Sequence, residues 1–440
     1  MTFFDKKKSK EGKKVVIFGL DGIPYDLMLN LGHKKIMPET KKLIEKGIFM
    51  QMESSIPEIS SVAWSSIITG KNPGEHGIFG YTDIPPGTYR VTFPNFNSLK
   101  APSFWHKNPD EKSIILNVPA TFPAKPLNGV HVSGFIALDL ERSVFPKALI
   151  PKLIELDYKI DVDAAMAHKS MELFLRDLER TFKARIALYR YLWEEAWDNF
   201  MFVITETDRL CHFLWDAYEN ENNKYHSFFL NFFHQIDEVV GEIAEKVSEE
   251  DILVILSDHG FELLESDVNL NFYLKENGLL NLKPDSKRNF ADIDYGTKAF
   301  ALEPSRIYIN LKGKYPRGSV AESDYKHVRE EIIMLFAELE FKGKKAIKKI
   351  HKKEEIYQGP HISLAPDIVL IPEKGFNLKA NLNVCELFEK SIFTGKHTQP
   401  DAFLWLNKCL DTKIIPEKLS VADVCKIIDK LKIQPHDNFL

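Results

Sequence analysis

Short runs of β-branched and other apolar residues recur along this chain, each closed by charge or by a turn. They read KVVIFGL (14–20), IFMQM (48–52), SIILNV (113–118), FMFVIT (200–205), ILVIL (252–256), RIYIN (306–310), DIVLI (367–371) and AFLWL (402–406). Runs of this kind read as strands, and KVVIFGL, SIILNV and ILVIL as strands buried on both faces. Stretches of helical character separate them: 38–45 with Gly47 as its stop, 225–246, 322–340 and 421–431. Strands alternating with helices predict an α/β fold with a mostly parallel central sheet and helices on both faces. Ligands of such sheets bind beyond the carboxyl ends of the strands. Residues 147–197 read as a helical cap or insertion, 266–304 as an irregular insertion, and 342–353 as a basic surface helix or sheet edge. A single catalytic domain is expected over 14–440, behind a basic tail at 1–13.

At 440 residues the chain can hold one large α/β domain with insertions. A net charge of −5 argues against a nucleic-acid polymer as partner, because such binders carry a basic excess. Cys211, Cys385, Cys409 and Cys425 have no C-x-x-C spacing, which predicts a reducing, cytoplasmic setting rather than a disulfide framework. No apolar stretch approaches the roughly 20 residues that span a bilayer.

Acids and histidines cluster just after the strand-like runs. Asp21 follows the first. Asp208 and His212 follow FMFVIT at i, i+4, on one face of a helical turn. Asp258-His259-Gly260 follows ILVIL, and His397 stands just before AFLWL. Taken singly, each has an ordinary reading as a turn, a surface helix pair or a packed side chain. Together they are an oxygen and nitrogen ligand set suited to zinc, manganese or iron, and too rich in nitrogen for calcium. Two cations need about six to eight donors, so the inventory fits a binuclear site. The hydroxyl cluster at Ser60 opens an apolar run, Val62–Thr69, of helical character. A hydroxyl at a helix start is an ordinary cap, and equally a nucleophile beside unpaired N–H groups. There is no G-x-x-x-x-G-K-[ST] loop, no G-x-G-x-x-G after the first strand, no G-x-S-x-G elbow and no H-E-x-x-H helix. P-loop kinases, standard dinucleotide dehydrogenases, serine hydrolases and zincins are thereby disfavoured.

The ordered set FGLDG (18–22), ISSVAWSSIITGKNPGEHGIFGY (59–81), ETDRLCHFLW (206–215), LSDHGF (256–261) and TGKHTQPDAF (394–403) resembles the type I phosphodiesterase/nucleotide pyrophosphatase family of the alkaline phosphatase superfamily. The resemblance implies an alkaline-phosphatase-like fold and two divalent metal ions, zinc first, with manganese or iron as alternatives. It implies one cation on Asp208, His212 and His397, and another on Asp21, Asp258 and His259 with Ser60 as nucleophile and further ligand. Ser61 is the competing nucleophile. Three positions depart from the family pattern: Ser60 stands where the nucleophile is usually threonine, Val62 replaces a proline, and Tyr81 stands where a phosphate-binding asparagine is usual. Trp64 and Tyr81 are expected to bind substrate. Sulfatases are disfavoured because Trp64 occupies the place of their arginine. The function implied is hydrolysis of phosphodiester or pyrophosphate bonds in a small-molecule substrate through a phosphoseryl intermediate. The alternatives are a phosphomonoesterase or phosphomutase on the same scaffold, and a non-catalytic binder of phospho-ligands.

Overall fold

The computed structural model describes residues 12–284, 289–407 and 415–433, so most of the basic tail at 1–13 lies outside the described residues. The chain expected as one catalytic domain is built as two compact units. One comprises the chain up to Lys71, Asn95–Phe261 and His397 onward; the other comprises Asn72–Pro94 and Glu262–Lys396.

The first unit carries an eight-stranded sheet. Its strands are β1 (Val15–Leu20), β2 (Ile48–Met52), β3 (Ser113–Val118), β4 (Gly129–Ser133), β5 (Val144–Phe145), β6 (Asn199–Ile204), β7 (Ile252–Leu256) and β8 (Ala402–Leu406), in the spatial order β2-β8-β7-β1-β6-β3-β4-β5. Strands β7, β1, β6, β3 and β4 run parallel to one another. Strand β8 is antiparallel to both of its neighbours, and β5 is antiparallel to β4. Every residue of β1, β3, β6, β7 and β8 is buried, as continuous apolar runs predict for strands covered on both faces.

Three helices matter for the site: α1 (Ser60–Thr69), α2 (Met171–Trp193) and α3 (Glu206–Glu219). Helix α1 is buried along its whole length, so its apolar residues pack all round instead of in one stripe. Trp64, on α1, lies against β1 where only glycine leaves room. A Cβ at Gly19 would overlap Trp64 Cη2 and stand 3.0 Å from Val203. Gly19→Ala is therefore expected to cost about 1–3 kcal/mol of stability, read by denaturant unfolding. The segment 147–197 is indeed largely helical, and α2 belongs to the first unit.

The second unit is built on a four-stranded antiparallel sheet in the order Ala299–Leu302, Arg306–Ile309, Ile368–Pro372, Ile347–Lys352. Its core gathers Leu274, Phe300, Ile307, Ile332, Phe336 and Leu370. The irregular insertion expected at 266–304 instead contains regular elements: strands Ser266–Asn269 and Ala299–Leu302, and helix Leu270–Glu276. The basic run forms an edge strand, Ile347–Lys352, with Lys348 and Lys349 exposed. Exposed lysines on an edge discourage pairing with another chain.

Candidate active site

Parallel neighbours put their carboxyl ends side by side, and that edge gathers the acids. Asp21 closes β1 and its N–H is held by the Ile204 carbonyl of β6 at 3.0 Å. The turn that follows needs Gly22, whose φ is +69°, and the Gly22 N–H donates to Asp258 Oδ1 at 3.1 Å. Thr207 donates to the Asp21 carbonyl at 2.6 Å, so the first turn of α3 is fixed to the end of β1. His397 arrives from the opposite direction. Because β8 is antiparallel, the residues that precede it lie where the parallel strands end. His397 Nδ1 meets the Glu58 carbonyl at 3.0 Å, on the segment that leads into Ser60.

Ser60 is the first residue of α1, beside the N–H groups that no helical carbonyl can reach. Its Oγ donates to Asp21 Oδ1 at 3.3 Å and lies 3.2 Å from His259 Nε2. Ser61 Oγ has no hydrogen-bond partner among the described residues.

Ligand atoms of Asp21, Asp258 and His259 lie within 4.8 Å of one another, as do those of Asp208, His259 and His397. His259 thus stands in both groups, where the sequence assigned it to one. His212 joins the second group through His397, with 3.0 Å between their Nε2 atoms and 3.4 Å from His212 Nε2 to Asp208 Oδ1. All seven expected ligands therefore meet at one edge of one sheet. The three aspartates, His259 and Ser60 are buried; His212 and His397 are the partly open side.

The donor set fits cations. His397 Nδ1 faces the Glu58 carbonyl, and His259 Nδ1 faces the Gly260 carbonyl at 3.1 Å. A carbonyl only accepts, so Nδ1 carries the hydrogen in both rings and Nε2 is left to ligate. His397 Nε2 is then aimed at Asp208 Oδ1, 3.0 Å away. Asp258 Oδ2 is buried with no hydrogen-bond partner among the described residues. Converging acceptors of this kind require positive charge among them. The electrostatics agree. Burial, with Asp258 and Asp208 nearby, lifts the Asp21 carboxyl well above the usual range. Burial lifts Asp258 to about 7 and pushes His259 far below its ordinary value. Asp208 goes the other way: burial opposes its charge, but His212, His397 and Arg209 outweigh it.

Trp64 is fully buried and donates its indole N–H to Asp21 Oδ2 at 3.3 Å. It was expected to bind substrate; with no surface open to solvent it instead supports Asp21. Tyr81 belongs to the second unit and is partly exposed. Sequence reasoning passed over Phe261. Its ring meets His212 edge-on at 4.9 Å, His397 at 5.0 Å and His259 at 5.7 Å, so one buried aromatic orients three imidazoles. Its place two residues after His259 was the available signal.

A family model for type I phosphodiesterase / nucleotide pyrophosphatase matches residues 15–398. No curated protein matches by sequence. Among solved structures, a phosphonoacetate hydrolase from Sinorhizobium meliloti 1021, in complex with phosphonoacetate, superposes with a TM-score of 0.62 at 15% identity. That match covers 96% of this chain and 97% of the other. Murine ectonucleotide pyrophosphatase / phosphodiesterase 5 gives 0.55 at 13% identity, covering 97% and 98%. The human protein gives 0.54 at 13%, covering 97% of each chain. Identities this low speak for the fold; the family match speaks for the lineage. The chain belongs to the type I phosphodiesterase / nucleotide pyrophosphatase family, phosphoric ester hydrolases on the alkaline-phosphatase-like fold.

Proposed function

We propose that this protein is a metal-dependent hydrolase that cleaves phosphodiester or pyrophosphate bonds of a small molecule through a phosphoseryl intermediate. The observation that carries the proposal is the position of Ser60 Oγ, in reach of both Asp21 and His259 at the start of a buried helix.

Asp21, Asp258, His259 and Ser60 would hold one divalent cation, and Asp208, His212 and His397 the other. Bound there, such cations lower the pKa of a hydroxyl and offset charge on phosphoryl oxygens, zinc being the best match to these ligands. Ser60 Oγ attacks phosphorus, its proton directed at Asp21 Oδ1, and the bond to the leaving oxygen breaks on the far side. The leaving group departs with that electron pair. The phosphoseryl group would stand at the start of α1, where the helix dipole favours an anion. Water then attacks the same phosphorus and loses a proton to solvent. The bond from phosphorus to Ser60 Oγ breaks, the phosphorylated product leaves, and Oγ takes back the proton from Asp21. Trp64 and Phe261 touch no substrate in this scheme; they keep Asp21 and the imidazoles in place.

The test is a panel of bis(4-nitrophenyl) phosphate, 4-nitrophenyl phosphate and phosphonoacetate, each with added zinc or manganese. Diester turnover is expected to exceed monoester turnover. A large excess for the monoester would establish the phosphomonoesterase alternative, and selective cleavage of phosphonoacetate would place the reaction at a carbon–phosphorus bond.

A further inference from the structure

Arg209, next in sequence to a proposed ligand, is held more tightly than a surface arginine. Its side chain is only 13% exposed. Nη1 donates to Asp208 Oδ2 at 2.8 Å. Nε and Nη2 form a fork on Asp161, at 3.2 Å to Oδ1 and 2.7 Å to Oδ2. The ring of Phe135 covers the guanidinium, 4.3 Å from its central carbon. Asp161 is fixed in turn, its Oδ1 accepting from the Val162 N–H at 2.9 Å. The same short segment anchors a second pair one turn away. Arg185 of α2 lies on Glu206 at 2.8 Å and also reaches the Tyr158 hydroxyl and the Ile160 carbonyl, each at 3.1 Å. Residues 158–162 thus hold the first turn of α3 directly, through Asp161 on Arg209, and by way of Arg185, which they contact and which lies on Glu206.

The two oxygens of Asp208 are thereby given different work. Oδ1 faces the imidazoles, 3.0 Å from His397, 3.4 Å from His212 and 3.9 Å from His259. Oδ2 is taken by Arg209. We infer that Arg209 is a positioning residue that restricts Asp208 to single-oxygen coordination, and so biases this site toward a small cation of low coordination number. The inference rests on the two-cation reading above. A carboxylate free to use both oxygens suits larger cations with more ligands, whereas zinc with imidazoles takes one oxygen. Lysine is no substitute, since a single ammonium cannot fork onto Asp161 while holding Asp208.

The experiment uses the full chain, stripped of metal and titrated with cobalt(II), followed by its absorption spectrum, with zinc and manganese measured in competition. The wild type is expected to take up two cations. Arg209→Met should weaken one of them about 10–100-fold and change the cobalt bands of that equivalent alone, with zinc losing more than manganese. Arg209→Lys should fall between the two. Asp161→Asn keeps the arginine but removes its anchor, and should shift the same equivalent in the same direction. It decides the matter if Arg209→Met does not fold. Wild-type affinities and bands for both cations in the folded variants would overturn the role of Arg209 alone. A wild type that binds no cation would sink the two-cation reading, and this inference with it.

Discussion

Ser60→Ala is expected to lower turnover by about 10⁴-fold or more, because losing a nucleophile removes the whole covalent route. The same variant should retain divalent cations. Six other proposed ligands converge on the site, and Ser60 Oγ adds to them a single donated hydrogen bond, to Asp21, and a 3.2 Å approach to His259 Nε2. The measurement is steady-state hydrolysis of an aryl diester, paired with denaturing capture of phosphorylated protein after brief mixing. The wild type should show a phosphoserine at residue 60 and the variant none. Turnover surviving in Ser60→Ala with the label moved to Ser61 would reassign the nucleophile. An unchanged rate without any label would leave direct attack by water as the mechanism.

The second large effect is on stability and runs through the buried acids. In the chain without cations, Asp21 and Asp258 hold their protons at pH values where the unfolded chain has lost them. The stability this gives is whole below about pH 4 and is lost as pH rises, through about 7 for Asp258. His259, pushed down by burial, has the opposite sign and costs stability as pH falls below about 6.5. Within the site, then, the two carboxyl groups lose stability as pH rises while the imidazole gains it, as do the buried His76 and His131 elsewhere. Protons and cations compete for these acids, so saturating zinc should raise the unfolding midpoint more at pH 8 than at pH 5. At a free concentration a thousand times Kd the gain is about 4 kcal/mol. Thermal unfolding of chelator-treated protein with and without zinc measures it; equal shifts at both pH values would contradict the assignment of these acids as ligands.

Both expectations lean on residues that could be read from the sequence, and the reason is topological. The strands at 48–52, 113–118, 252–256 and 402–406 match the observed β2, β3, β7 and β8 residue for residue. The last three are fully buried and leave uninterrupted apolar runs, whereas β2 at the sheet edge is mostly half-buried, with Gln51 exposed. Their carboxyl ends then carry the polar residues that a packed interior excludes. Strand β4 was missed. Its sequence, GVHVS, is short and carries a histidine, which reads as a turn after Asn128 although His131 is fully buried. The helix of Ser60 begins two residues earlier than its apolar run suggested. Side-chain partners were the least legible part. Trp64 supporting Asp21, Phe261 against His212 and His397, and Asp161 holding Arg209 are set by packing between segments distant in sequence, for which periodicity carries no signal.

The placement of β8 bears on how such a molecule is made. Its five residues pair on one side with 48–52 and on the other with 254–256, filling a slot between two strands already synthesised. His397 travels with it. A nascent chain still short of that strand has an incomplete sheet and one imidazole too few, so the finished catalytic pocket also reports that translation has run past residue 406. Pairing across so long a stretch of sequence is slow, and until it forms the edges of β2 and β7 stay open to pairing.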